Sequence, residues 1–368
     1  MFRKTTKRIL SLVLAVLLIM SCGIFSFAAV QDTTELTQAR GNFRTASGPV
    51  TGSSLFTKGY VTEYSYSSPI DANPESTGKY PVVFFIGQTT TAGHQGAELR
   101  ETSFPLWSMP AYQSRFYNAG GAFIVLARTH PLESYFGSIA NESYVRESIK
   151  AMMDDFIAKN KDHVDTDRIY LVSWDEGCRL AINIAADYPT YFAAMVLCSP
   201  AGLTINSGLE DKFSALADVP VWLMVCKADP KSAFSEYGTK LWNVIKNTTA
   251  HSYVCRYTTF DTFNVSTSGE TAHHSTWEYA AYDCRYSGEF SGAKTIDAQE
   301  RSYTFDSKSS DGVIDWLSKI GSDYGSDCTC KCHHATGWEK FFWNLKMLIS
   351  MMLKIKWNRE CACGIIHY

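Results

Sequence analysis

A succession of short apolar runs separated by helical patterns is the strongest constraint this chain places on its fold. Tyr80 to Ile86 reads YPVVFFI and stops at Gly87, Ala122 to Ala127 reads AFIVLA, and Arg168 to Ser173 reads RIYLVS. Ala193 to Ser199 (AAMVLCS) and Pro220 to Cys226 (PVWLMVC) follow in the same style. Runs this short, with no polar alternation, describe strands buried on both faces. Between them, Tyr144 to Lys159 places Val145, Ile149, Met152, Met153 and Phe156 at helical spacing. Cys178 to Tyr188 does the same and is closed by Pro189, and Asp311 to Ile320 ends the series. Strands alternating with helices predict an α/β domain, a mostly parallel central sheet flanked by helices. With 368 residues, 45% of them apolar, the chain has ample material for such a core.

The two ends differ from this middle. Arg3, Lys4, Lys7 and Arg8 precede an apolar run from Ile9 to Met20, and Ser26-Phe27-Ala28 offers a small-x-small cleavage site. That is the build of a secretory signal peptide over residues 1–28, so the mature chain is expected to be secreted or associated with the cell envelope. Residues 29–54 are rich in Thr, Gln and Ser, which predicts a flexible, exposed arm. The α/β domain is assigned to 55–321. At Ser322 to Asp327 the composition shifts to Gly, Ser and Asp, and a Cys- and His-rich segment follows to 368. A formal net charge of −3 argues against nucleic acid as the main partner.

The chemistry concentrates where the RIYLVS run passes directly into Ser173-Trp174-Asp175-Glu176-Gly177 and then into a helical pattern. A tight strand-to-helix turn needs small residues two before and two after its apex, and Ser173 and Gly177 meet that need around Asp175. After PVWLMVC comes Lys227-Ala228-Asp229-Pro230, and further on Ala272-His273-His274-Ser275-Thr276-Trp277. In this order and strand context the stretch from about Tyr60 to Ile320 resembles the α/β-hydrolase superfamily. Within it, the chain resembles secreted esterases of the polyhydroxybutyrate-depolymerase and feruloyl-esterase kind. Those esterases read Gly-x-Ser-x-Gly at the elbow, so Ser173 stands for the first glycine and Asp175 for the nucleophilic serine. The resemblance implies Asp229 as the acidic partner and His274 as the histidine, because His274-x-x-Trp277 keeps the family's spacing, with His273 as the runner-up. It also implies an oxyanion hole built from backbone N–H groups of Gln88, in the loop Gly87 to Gly93, and of Glu176.

Each of these residues has a plainer reading. Asp175 is also a fitting helix cap, Asp229 before Pro230 a turn initiator, and His274 an ordinary histidine. Cys178, Cys198 and Cys226 lie in apolar runs and are expected in the core. Cys255 and Cys284 are candidates for a disulfide in an exported protein.

A serine triad requires a hydroxyl that histidine can deprotonate, and Asp175 has none to give at neutral pH. The primary reading is therefore a hydrolase-like protein, related to carboxylic-ester hydrolases, whose ordinary serine-esterase activity is lost or altered. It would bind a small-molecule, carbohydrate or ester ligand. Glu176 favours loss, because its acidic side chain opposes an oxyanion at its own N–H. The alternative is an active hydrolase in which Asp175 attacks an ester, halide or epoxide-type substrate and His274 and Asp229 then activate water. Haloalkane dehalogenases and epoxide hydrolases of the same superfamily work this way. No cofactor is expected for this domain.

The tail carries Cys328, Cys330, Cys332 and His333, then after a long interval Cys361, Cys363 and His367. It resembles a short C-terminal module of exported proteins of Gram-positive bacteria. Soft ligands at this spacing suit tetrahedral zinc, and a disulfide staple is the alternative. Between the clusters Trp338, Phe341, Phe342, Leu345, Leu348, Ile349, Met352 and Leu353 form a helical stripe punctuated by lysines. Such a basic amphipathic helix suits an anionic envelope surface, or packing on the main domain.

Overall fold

The computed structural model describes residues 33–53, 59–71, 74–87, 96–100, 102–117, 119–131, 142–249, 254–264, 272–305 and 312–321, with two short segments at 359–360 and 366–367. The strands are β1 (Arg44–Ser47), β2 (Tyr60–Ser67), β3 (Tyr80–Ile86), β4 (Phe123–Pro131), β5 (Val164–Trp174), β6 (Ala194–Cys198), β7 (Val221–Cys226) and β8 (Arg256–Phe260). Short strands β9 (Thr262–Asn264), β10 (Glu289–Ser291), β11 (Lys294–Ile296) and β12 (Ser302–Tyr303) follow. The helices are α1 (Thr34–Gly41), α2 (Glu142–Lys159), α3 (Gly177–Asp187), α4 (Ser207–Ala215), α5 (Leu241–Thr248), α6 (Trp277–Ala281) and α7 (Val313–Lys319).

The main sheet has ten strands in the order β1-β2-β4-β3-β5-β6-β7-β8-β11-β12. From β4 through β8 all neighbours are parallel, and antiparallel strands close both edges. Each apolar run of the sequence lies in one of the central strands β3 to β7. The reason such runs lack alternation is visible in β3. Val82, Phe84 and Ile86 pack on one face with Met152 and Phe156 of α2, while Val83 and Phe85 pack on the other with Phe104 and Trp107. Side chains alternate faces, and here both faces are dry. Helices α2 to α5 cover the first face; α6, α7 and the turn Phe104–Ser108 cover the second.

The expected flexible arm over 29–54 is corrected by the structure from Thr34 onward. Thr33 Oγ1 accepts the Leu36 amide at 3.1 Å and caps α1, whose Glu35 and Arg40 complement the helix dipole. Leu36 and Ala39 are buried against Leu106, and Arg40 Nε donates to the Leu99 carbonyl at 2.8 Å. β1 then pairs antiparallel with β2 as the edge of the main sheet. The composition conceals this because only Leu36 and Ala39 of the helix face inward, and an edge strand draws its order from its neighbour's backbone.

Cys178, Cys198 and Cys226 are buried in the core, as are Cys255 and Cys284. The suggested Cys255–Cys284 disulfide is not formed: both thiols are free, and Cys255 Sγ accepts the Val221 amide at 3.3 Å. Burial pushes both thiols up from their ordinary pKa, which suits packing and not reactivity. The signal segment 1–28, the loop residue Gln88, the amphipathic stripe, and Cys328, Cys330, Cys332, His333, Cys361 and Cys363 all lie outside the described residues. Of the tail, the structure describes an antiparallel pair between Arg359–Glu360 and Ile366–His367. Among the described residues no helix is long and apolar enough to cross a membrane.

Candidate active site

At the carboxyl end of β5 the chain turns through Asp175 and Glu176 and enters α3 at Gly177. Asp175 has φ +54°, in the left-handed region that costs most side chains on the order of 1 kcal/mol and that aspartate tolerates better than most. The turn is locked from three sides. The Asp175 amide donates to the Cys198 carbonyl at 3.2 Å, and its carbonyl accepts from Cys178 and Ala201. Gly177 must lack a side chain: a Cβ there would lie 2.4 Å from the Ile86 carbonyl oxygen and 2.6 Å from that of Gly87. Ser173 is fully buried, within 3.4 Å of the Val196 carbonyl and 3.5 Å of Cys178 Sγ, so its hydroxyl points into the core. It is no substitute nucleophile.

Asp229 follows β7. Its Oδ1 accepts the amides of Lys231 and Ser232 at 2.8 and 3.1 Å, and its Oδ2 lies 2.7 Å from His274 Nδ1. One carboxylate oxygen thus serves the turn after β7 and the other faces the histidine. His274 is 2% exposed and ends a short turn, Ala272–His274, that leads into α6. Its Nε2 lies 3.0 Å from Asp175 Oδ1, an ion-pair contact off the axis of a directed hydrogen bond. Asp175, His274 and Asp229 therefore meet in one line. His273 is drawn elsewhere, its Nδ1 accepting the Phe263 amide at 3.3 Å.

Further supports surround this line. Thr276 and Ser199 share a hydrogen bond of 2.8 Å, and Thr276 also reaches the Met224 carbonyl, so the histidine turn is tied to the ends of β6 and β7. Trp277 stands edge-on to the His274 ring at 5.5 Å. Trp174 packs between Phe104 and Trp277, with ring centroids at 5.5 and 6.5 Å. Its indole fills the space beside Gly87, where a Cβ would lie 2.2 Å from Trp174 Cζ2. The spacing to His274 had marked Trp277, whereas Ser199, Thr276 and Phe104 carry no local pattern that marks them for such roles.

Burial draws His274 toward its neutral form, but the flanking carboxylates of Asp175 and Asp229 outweigh it and push the imidazole up to about 9. The resting site at neutral pH is an imidazolium held between two carboxylates. A histidine whose folded pKa lies above its free value of 6.5 adds stability fully present below pH 6.5 and lost as pH rises through 9. Denaturant unfolding across that window should show a loss on the order of 3 kcal/mol. His274→Gln should flatten the slope; equal slopes in the two proteins would refute this pairing. Glu176, beside Asp175, has its Oε2 enclosed with no hydrogen-bond partner among the described residues. Among those residues, no cluster of three or more His, Cys, Asp or Glu side chains suits a metal ion.

A strand–turn–helix elbow with a left-handed apex, at the carboxyl edge of a mainly parallel sheet and faced by a histidine–acid pair, defines an α/β-hydrolase fold. A thermostable esterase shares it, with a TM-score of 0.50 and 17% identity over 67% of this chain and 62% of that one. An esterase bound to p-nitrophenol gives 0.43 and 12%, over 62% and 76% of the two chains. A CIB-like hydrolase from Thermoplasma acidophilum gives 0.41 and 10%, over 66% and 93%. The chain thus spans less than two thirds of the thermostable esterase, and at such identity the likeness is one of fold. No protein-family model and no curated protein sequence matches the chain.

Proposed function

We propose that this chain is an exported hydrolase in which Asp175, and not a serine, attacks the substrate. The observation that carries the reading is the assembled line Asp175–His274–Asp229, with His274 gripped at both ring nitrogens. A site that had lost its chemistry would have no need to hold a strained aspartate apex against a buried histidine.

The carboxylate attacks an electrophilic carbon, the leaving group departs, and an ester forms on Asp175. Esterification removes one of the charges that stabilise the His274 imidazolium. The ring then gives up its proton to solvent and becomes a base, oriented by Asp229, for the water that cleaves the ester. Ordinary acyl-serine hydrolysis has no place in this site.

A single turnover in heavy-oxygen water tests the route. The label is expected in the Asp175 carboxylate, with the first-turnover product carrying light oxygen at the attacked carbon. Label found directly in the product would replace the covalent route with direct attack by water. A binding-only reading draws on the resting ion pair, which leaves no free base; absence of any label in Asp175 with a panel of alkylating substrates would favour it.

A further inference from the structure

Within the proposed reading of Asp175, His274 and Asp229 as the working line, we infer that Ser199 is a positioning residue whose hydroxyl and left-handed backbone together fix all three turns of the site. Ser199 follows β6, is fully buried, and has φ +44°, a region that most side chains enter only at a steric cost. A glycine would take the same backbone without that cost, so the serine calls for an explanation in what its hydroxyl does.

The tract Cys198–Ala201 meets each turn of the site. At the elbow, the Cys198 carbonyl accepts the Asp175 amide and the Ala201 amide donates to the Asp175 carbonyl, both at 3.2 Å. The left-handed residue between them curls the chain back; an extended one would carry Ala201 away from the elbow at about 3.3 Å per residue. At the acid turn, the Pro200 carbonyl accepts the Ser232 hydroxyl at 2.7 Å, and the Ser232 amide donates to Asp229 Oδ1 at 3.1 Å. At the histidine turn, Ser199 Oγ lies 2.8 Å from Oγ1 of Thr276, two residues after His274.

The direction of that last bond follows from counting protons. Thr276 has one hydroxyl proton, which goes to the Met224 carbonyl at 3.3 Å, so Ser199 donates and Thr276 accepts. The Met224 carbonyl also accepts the Ser199 amide at 2.8 Å, which closes a small ring of bonds between β6, β7 and the histidine turn. Ser199, Thr276 and Ser232 are all fully buried, so these bonds are shielded from bulk water. What the ring fixes is the approach of His274 to two carboxylates, 3.0 Å from Asp175 and 2.7 Å from Asp229, the closeness that raises its proton affinity.

NMR of the histidine rings, titrated on the folded protein without substrate, reads this placement directly. Ser199→Gly keeps the left-handed backbone and leaves Thr276 its bond to Met224, so the melting temperature is expected to hold within a few degrees. Its His274 is nevertheless expected to bind its proton at least about tenfold more weakly, moving from about 9 toward the ordinary 6.5. Thr276→Val removes the same bond from the other side and should reproduce the fall, which covers the case in which the glycine variant fails to fold. Thr276→Ser keeps the hydroxyl and should retain the native value. An unchanged His274 titration in Ser199→Gly and Thr276→Val, or an equal fall in Thr276→Ser, overturns the role of Ser199. The nucleophile is scored separately: absence of label in Asp175 after turnover in heavy-oxygen water overturns the aspartate route and leaves the Ser199 result standing.

Discussion

On the proposed aspartate-nucleophile route, His274→Gln is expected to leave a protein that reacts once and stops. Attack by Asp175 needs only its carboxylate, so the first step survives. Hydrolysis of the ester needs a base at the position His274 Nε2 occupies, 3.0 Å from Asp175 Oδ1, and glutamine is none. Turnover should fall by about a thousandfold or more. The peptide spanning Asp175 should gain the mass of the alkyl group in stoichiometric amount. Glutamine keeps much of the volume of a side chain that is 2% exposed, so packing against Trp277 is disturbed little. A variant that folds, loses turnover and carries no adduct would show that His274 acts before the covalent step, which is incompatible with an aspartate nucleophile.

Asp175→Ser should run in the opposite sense and open the route the native residue closes. Ser173 and Gly177 already provide the close packing a serine elbow needs, and Asp229 already holds His274 Nδ1 at 2.7 Å. Removal of the Asp175 charge also withdraws one of the two carboxylates that keep His274 protonated, so the ring returns toward a neutral base. Hydrolysis of p-nitrophenyl acetate is expected to exceed that of the native protein by about a hundredfold or more. The rate should rise with pH as His274 loses its proton. A folded variant with no gain would mean that backbone donors from Glu176 and Gln88 do not form an oxyanion hole, and that the site is committed to attack at saturated carbon. With the trapped ester of the first experiment, either result separates a changed nucleophile from a lost one.

Much of the scaffold was legible in advance because it is written in short-range physics. β3 to β7 are buried on both faces, so each appears as an uninterrupted apolar run. α2 and α7 show apolar residues at helical spacing, and α3 is apolar enough to be buried almost all round. Strands β2 and β8 escaped notice for the complementary reason. In β2, read YVTEYSYS, and β8, read RYTTF, polar side chains are mixed among the aromatic ones and no apolar run forms. The N-terminal segment escaped because α1 turns inward through Leu36 and Ala39 while the rest of it meets water.

Local sequence places the elbow, since the small residues flanking its apex answer a steric demand that acts within one turn. The chain also carries Asp175, Asp229 and His274 in that order, with an aspartate, which has no hydroxyl proton to give, at the apex. The folded arrangement was needed to see that Asp229 reaches His274 across 45 residues, that His274 and not His273 faces the elbow, and that Cys255 and Cys284 stay unbonded. The raised proton affinity of His274 belongs to the same class. Local spacing constrains a chain over a few residues, whereas those contacts exist only because the parallel sheet brings the carboxyl ends of β5 and β7 to one edge, with β6 between them, and packing on both faces holds them there.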